Sequence, residues 1–389
     1  GGFGGELFRG GAEWLSGRGE ESDVVISSRV RLARNLAGFP FVCRANRTQR
    51  QGVLDLARQR LTTTGVAERV LWVDIHRAGP LERTLMVERH LISKEHARGT
   101  VGSTGSAAAS VATGTAASQP TGSEPAATEP RGVAISLPDE SLSVMVNEED
   151  HLRLQVVRPG LELSRAFAEV NRVDDLLEGG GGGGAGKPLE FAFSPRFGYL
   201  TACPTNVGTG IRVSVMLHLP ALKLMGEMDK VRRATRDMGL AVRGYYGEGS
   251  EAAGDFYQIS NQTTLGKPET IILHEFEREI IPQVIQYERA SRRILLEKRR
   301  RMLEDKVFRS LGLLRAARLL TPEEAIVLLS DVRLGVLAGL VNDVEIQTVN
   351  QLILLTQPAH LQRVIGHDMD QGERREARAD FVRKAVGAA

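Results

Sequence analysis

The sequence predicts an α+β protein: a first domain of mixed strands and helices over residues 22–268, then an all-helical C-terminal domain over 269–389. Three observations predict this. At 389 residues the chain is long for one core and comfortable for two. Up to about residue 268, short Val/Ile/Leu-rich runs with strand spacing alternate with segments of helical apolar spacing. Beyond about 270 only helical spacing remains, so the strand-bearing and helical parts are segregated along the chain.

Residues 1–21 read as an amphipathic helical lead-in carrying Leu7, Trp14 and Leu15. An apolar segment studded with arginines follows from Val24 to Phe41, then a helix over 47–64. Val70–Ile75 and Arg83–Val87 have strand composition. Residues 98–131 are almost all Gly, Ala, Ser and Thr and bury too little apolar surface to offset their ordering entropy, so they read as a flexible insert. The glycine run within 179–186 reads as a second. Val133–Leu137, Leu142–Val146 and Leu152–Val157 fit a meander, Leu161–Leu177 a helix, and Phe197–Ala202 and Ile211–Leu217 further strands. Leu222–Met238 and Leu273–Arg301 have helical spacing, and Thr321-Pro322-Glu323-Glu324 has a Thr cap ahead of a first-turn Pro.

Composition excludes several classes. Net charge is +2, too balanced for a bulk field drawing the chain to nucleic acid or membrane. No apolar run approaches the roughly 18–20 residues of a membrane span, and no secretory signal stands at the start. The two cysteines, Cys43 and Cys203, fit free thiols in a reducing cytoplasm, and no Cys/His cluster has zinc spacing.

The chemistry concentrates in four clusters: Ser27-Ser28-Arg29-Val30-Arg31, Asn147-Glu148-Glu149-Asp150-His151-Leu152-Arg153, Cys203-Pro204-Thr205-Asn206-Val207-Gly208-Thr209-Gly210-Ile211-Arg212, and Arg243-Gly244-Tyr245-Tyr246-Gly247-Glu248. Arg29, Arg31, Arg153, Arg212 and Arg243 each sit beside a strand or a Gly-containing turn; a rigid guanidinium fork suits phosphate oxygens. Carboxylates on separate loops, Glu149 and Glu248, could hold a planar guanidinium and accept its proton as an N–P bond forms. Phosphoryl transfer needs such a clamp and aligned acceptor, with little covalent work from the protein. Walker-type and protein-kinase glycine loops are both missing. Each cluster also has a plainer reading: surface arginines, a solvated turn at Glu148–Asp150, a small buried thiol at Cys203, a surface imidazole at His90.

In order and spacing these clusters resemble the catalytic domain of the phosphagen kinase family. The chain begins almost at Ser27-Ser28-Arg29-Val30-Arg31 and carries a helical C-terminal extension, which resembles the bacterial protein-arginine kinase branch. Arg29–Leu36 and Ser214–Pro220 are similar to that branch as well. The resemblance implies an antiparallel sheet flanked by helices over 22–268, the ATP:guanido phosphotransferase domain. It implies transfer of the γ-phosphoryl group of ATP, with Mg²⁺ carried by the nucleotide and no protein metal site, to arginines of proteins, marking them for degradation during stress. Glu149 becomes the main catalytic carboxylate, Glu248 its guanidinium-gripping partner, and Cys203 a thiolate orienting the guanidinium. Ser27, Arg29, Arg31, Arg153, Arg212 and Arg243 fall to the nucleotide, with His90 near its base. Implied partners are protein substrates, a AAA+ unfoldase and protease, an activator and a second copy joined through the C-terminal domain; direct nucleic-acid or membrane contact is not implied.

One stretch departs from that branch. Where it binds phosphoarginine allosterically through an Arg-Asp-x-x-Arg-Ala motif, this chain has Arg374-Arg375-Glu376-Ala377-Arg378-Ala379. Arg375 puts a cation where a carboxylate would grip the guanidinium, leaving Arg374 and Arg378 for phosphate alone. Two other functions stay open on sequence: a kinase of free arginine or another guanidino metabolite, and a non-catalytic adaptor that keeps the motifs.

Overall fold

The structure, a computed structural model, describes residues 12–99, 129–179, 187–244, 253–262 and 264–387. Its strands are β1 (Val25–Arg34), β2 (Arg69–Asp74), β3 (Gly132–Leu137), β4 (Leu142–Val146), β5 (Leu152–Pro159), β6 (Phe193–Ser194), β7 (Gly198–Tyr199), β8 (Ile211–His218), β9 (Leu240–Gly244) and β10 (Phe256–Asn261). Eight of them form one sheet in the order β2-β3-β4-β5-β1-β8-β10-β9, every neighbouring pair antiparallel.

Alternation along β1 decides what each face of this sheet becomes. Side chains two apart share a face, so Ser27, Arg29 and Arg31 point one way and Val30 and Leu32 the other. Register spreads the pattern. Arg31 stands opposite Gln155 on β5 and Arg212 on β8, while Gln258 of β10 stands opposite Met216 on one side and Arg243 on the other. Arg153 lies two residues before Gln155. One face therefore gathers Arg29, Arg31, Arg153, Arg212 and Arg243.

The opposite face is apolar. Val30, Leu32, Leu154, Val156, Val213 and Val215 pack against Val53, Leu54 and Ala57 of α1 (Arg47–Thr63) and against Ala166, Val170 and Val173 of α4 (Leu163–Glu178). Arg34 falls on this side by parity. Burial is tolerated because it pairs with Asp174 of α4 at 2.7 Å and lies 3.5 Å from the Tyr199 ring centre.

The arginine-bearing face is covered at both ends and open between them. At one end Val133, Ile135 and Met145 meet Met86 of α2 (Pro80–Glu88) with Leu91 and Ile92, ahead of the short α3 (Lys94–Arg98). At the other, Val157, Met216 and Phe256 meet Trp14 and the C-terminal helices. After α5 (Pro220–Leu224) and α6 (Met228–Asp237), the described residues from Glu269 to Val386 hold α7 (Glu269–His274), a π-helical segment (Glu275–Ile280), α8 (Ile281–Lys298), α9 (Arg300–Ala316), α10 (Pro322–Leu337), α11 (Ile346–Leu355), α12 (Pro358–Ile365) and α13 (Gln371–Val386). Polar links tie these helices to the sheet side, those of Arg333 and Glu88 among them. Arg333 of α10 donates to His218 Nδ1 at 2.8 Å and to the carbonyls of Ser22 and Asp23. Glu88 of α2 accepts the N–H groups of Ala359 and His360 at the start of α12.

Several local expectations change. Arg83–Val87 is helical: Pro80 opens α2, Glu82 reaches back to the Gly79 N–H, and Leu85 and Met86 are buried. The lead-in, where described, holds only a 3₁₀ turn at Glu13–Leu15; Leu7 lies outside the described residues. The strand expected over Phe197–Ala202 shrinks to β7. Leu222–Met238 breaks at Gly226, which adopts φ 73°. Leu273–Arg301 is interrupted by the π segment just before Pro282, which has no N–H for the helical ladder, and ends at Arg299. Of the two expected inserts, 100–128 and 180–186 lie outside the described residues; Arg98 ends α3, Arg131 is buried beside β3, and Gly179 caps α4.

The Thr321 cap forms as expected, its hydroxyl accepting the Glu324 N–H at 3.1 Å. Thr321→Ala should cost about 1 kcal/mol, read as a lower denaturant midpoint at unchanged slope.

Candidate active site

Between the covered ends lies an open cleft of about 520 Å³, lined by Arg31, Arg153, Arg212, Arg243, Glu148, Glu149 and Cys203, with Lys94, Asn206 and Gln258. Three of the four sequence clusters and the arginine of the last thus meet in one place. They come from β1, the β4–β5 turn, the loop before β8, and β9.

The β4–β5 turn shows how neighbouring polar residues divide their tasks. Asn147, at φ 60°, donates to the carbonyls of Arg50 and Pro130. Asp150 accepts the Asn35 side-chain amide at 2.6 Å and the Ala202 N–H at 2.7 Å, fixing the loop that carries Cys203. His151 accepts the Leu36 N–H on Nδ1 and donates from Nε2 to the Pro40 carbonyl. Glu148 is buried and takes both ends of the Arg153 fork at 3.0 and 2.8 Å, the Ser93 hydroxyl at 2.7 Å and the Glu149 N–H at 2.9 Å. Glu149 differs. Its side chain is 30% exposed to the cleft and only approaches Arg153, at 3.6 Å. The solvated-turn reading fails for its neighbours, which are all buried. Burial raises the Glu149 pKa above the ordinary range, with Arg153 opposing that shift. Glu148 moves the other way, because Arg153 and its hydrogen bonds outweigh burial.

The Cys203 loop is held close to its neighbours by glycine. A Cβ on Gly198 would stand 2.4 Å from the Gly208 carbonyl oxygen, and one on Gly210 2.7 Å from that of Ala33. Cys203 opens the 3₁₀ turn Pro204–Asn206, half-buried, with Sγ 3.0 Å from Thr205 Oγ1. Cys43 and Cys203 are both free thiols. Arg212 is anchored to the Asn261 carbonyl at 3.0 Å.

The arginines crowd one another. Burial, then Arg153, Arg212 and Arg243, lowers the Arg29 pKa to about 10. Burial, then Arg29, Arg153 and Arg212, pushes Arg31 well below its usual value, and Arg31 Nε has no hydrogen-bond partner. Burial and then Arg243 and Arg153 lower Arg212, with Cys203 and Glu149 opposing. Clustered, mutually repelling guanidinium forks of this kind suit a polyanion.

Ser27, Arg29 and His90 are set apart from the open cleft. They line a small separate void that shares Gln258 with the cleft. Arg29 donates to Ser214 Oγ at 3.1 Å and Gln258 Oε1 at 3.0 Å. His90 follows α2, not a strand, at φ 60°, and burial with Arg29 and Lys94 lowers its pKa to about 3, so it is neutral. Glu248 lies outside the described residues. Among the described residues no three of His, Cys, Asp and Glu group as a metal site.

The Arg374–Arg378 stretch lies on α13, with Arg375 and Glu376 exposed. Arg378 is buried and donates to the carbonyls of Thr356, Leu320 and Arg374; Arg374 donates to that of Met369. Arg378 therefore does not present a guanidinium to a phosphate at the surface. Sequence reading missed Glu148, Asp150, Gln258 and Lys94. Glu148 stood in plain view, but nothing in two adjacent glutamates says which one Arg153 will take.

Comparison with known proteins agrees with this geometry. Residues 53–291 match the family described as ATP:guanido phosphotransferase, C-terminal catalytic domain, and residues 300–389 the Protein-arginine kinase McsB C-terminal domain. The chain is 40% identical over 376 residues to the protein-arginine kinase of Pelotomaculum thermopropionicum, covering 96% of this chain and 95% of that one. It is 41% identical over 383 residues to that of Symbiobacterium thermophilum, covering 98% of each. In fold it is similar to the duplicated taurocyamine kinase of Schistosoma mansoni (TM-score 0.54, 23% identity, 74% of this chain and 35% of that one) and to a lombricine kinase (TM-score 0.52, 23% identity, 71% and 68%). No described helix is long and apolar enough to cross a membrane. With relatives of about 40% identity aligned over almost its whole length, the chain belongs to the ATP:guanido phosphotransferase family.

Proposed function

We propose that this chain is a protein-arginine kinase: it transfers the γ-phosphoryl group of ATP to arginine guanidinium groups of proteins. The observation that carries the reading is the single turn in which Glu148 neutralises Arg153 while Glu149 stays turned to a cleft walled by four arginines. The arginines hold the triphosphate, and Mg²⁺ brought by the nucleotide shields its oxygens. A guanidinium nitrogen attacks the γ-phosphorus, the bond to the ADP oxygen breaks, and Glu149 takes the nitrogen's proton. Glu248 serves as a second carboxylate for the acceptor guanidinium, and Cys203 orients it. Relatives named protein-arginine kinase support proteins as acceptors. The reading extends to marking proteins for a AAA+ protease under stress, with an activator, a homodimer joined through the helices from 269 onward, and a cytoplasmic setting.

Incubation with Mg-ATP and an arginine-rich unfolded protein, with free arginine in parallel, tests it by mass spectrometry of acid-labile phosphate. Phosphoarginine on protein is the expected result; label on free arginine alone means a metabolite kinase, and label in neither tube rejects catalysis by the isolated chain. Cys203→Ala should lower kcat by about tenfold or less, because a positioning contact supplies less than the proton acceptor. Complete loss of turnover would give the thiol a larger part than orientation.

A further inference from the structure

The void behind Gln258 has a volume of about 10 Å³ and is walled by Ser27, Arg29, His90, Met216 and Trp14. That is room for about one water and not for a purine. Yet Ser27, Arg29 and His90 are the residues that the resemblance to phosphagen kinases implies for the nucleotide, with His90 near its base. Trp14 takes up the space. It is 4% exposed and meets the His90 ring edge-on, centroids 4.7 Å apart at 87°. Its Nε1 is buried with no hydrogen-bond partner, although a buried tryptophan N–H usually finds one. An indole also has the fused six- and five-membered ring skeleton of a purine.

The other walls are fixed. Ser27, Arg29, Met216 and Gln258 stand on strands paired on both sides, and the His90 carbonyl accepts the Gln155 side-chain amide at 2.7 Å. Trp14 instead rides on the three-residue turn Glu13–Leu15, between Ala12 at φ 53° and Gly17 at φ 68°. Moving that turn opens the void without breaking the sheet.

We propose that Trp14 occupies the purine subsite of the nucleotide-free protein and that ATP binds by displacing it, so that the Glu13–Leu15 turn competes with nucleotide. The proposal rests on the ATP-dependent reading above. Apparent affinity for ATP is then reduced by the fraction of molecules in which the turn is already out.

Trp14 and Trp72 are the two tryptophans of the chain. In a Trp72→Phe protein, Trp14 reports alone. Titration with ATP should shift its emission to the red, as the indole enters water, and saturate together with binding measured by calorimetry. Trp14→Ala should bind ATP more tightly, by about tenfold if the subsite is blocked in nine molecules of ten. Calorimetric binding with unchanged or blue-shifted emission, or weaker binding by Trp14→Ala, would overturn the plug and make Trp14 a wall of the site. The emission arm needs no variant at position 14 to fold. Absence of calorimetric ATP binding in every protein would overturn the functional reading, and the plug with it.

Discussion

Glu149→Gln is expected to lower kcat by about 10²–10⁴-fold, the usual worth of a positioned proton acceptor, with ATP affinity and the unfolding midpoint little changed. The amide keeps the shape of the carboxylate, so neighbouring packing is preserved. The turn does not depend on this side chain: Asn147, Glu148, Asp150 and His151 make its hydrogen bonds. What disappears is the group that takes a proton from the attacking nitrogen. The pH profile gives an independent check. Burial raises the Glu149 pKa from 4.5, so turnover should fall on the acid side as pH drops through a value above the ordinary glutamate range. Linkage has the opposite sign. With the folded pKa raised, this group's stabilising contribution is full below the unfolded pKa and is lost as pH rises through the folded one. An uncharged Gln avoids burying that charge at neutral pH, so the variant should unfold no more easily than the parent. Single-turnover kinetics beside denaturant unfolding would separate the two effects. Near-normal kcat in a folded variant would remove Glu149 from the mechanism.

The strand alternation at Ser27–Leu32 shows how far sequence reading reaches. Period two put Arg29 and Arg31 on one face and Val30 and Leu32 on the other, and a single strand is enough to see it. Bringing Arg153, Arg212 and Arg243 onto the same face depends on register across separate strand pairs, which no local pattern encodes. Arg83–Val87 misled for a local reason: a short run with Thr, Leu, Met and Val suits a strand, and the deciding signals, Gly79-Pro80 and Glu82, lie just upstream. The surroundings of Arg378 were hidden from sequence for a tertiary reason. Its neighbours in sequence resembled a ligand motif, but the carbonyls it satisfies belong to Thr356 and Leu320, 22 and 58 residues away. Trp14 read as one apolar position of a helix; its place beside His90 depends on contact between segments far apart in sequence.

Arg31→Met should move stability and function in opposite directions. Arg31 is half-buried at the cleft wall, faces Arg29, Arg153 and Arg212, and leaves Nε without a partner. Glu148, the carboxylate that acts on Arg31, is engaged by Arg153 at 2.8 Å. Folding therefore works against this guanidinium, and a neutral side chain of similar length removes both the desolvation and the repulsion. A gain of up to about 1 kcal/mol is expected, because water in the cleft screens part of the repulsion. The same change removes a central cation from the phosphate clamp, and kcat/KM for ATP should fall by about 10³-fold or more, the scale set by transition-state arginines. Ligand-linked stability supplies a third readout. ATP at 100 times its Kd should stabilise the parent by about 2.7 kcal/mol, and at the same concentration this increment should largely vanish in the variant. Thermal unfolding with and without nucleotide measures both signs in one experiment. A variant that lost stability would make Arg31 a structural cation, whereas one that kept its response to ATP would place the triphosphate elsewhere in the cleft. The expected pair of results, a firmer apo fold and a failed clamp, follows if the repulsion among these arginines is held in place by the sheet until a polyanion relieves it.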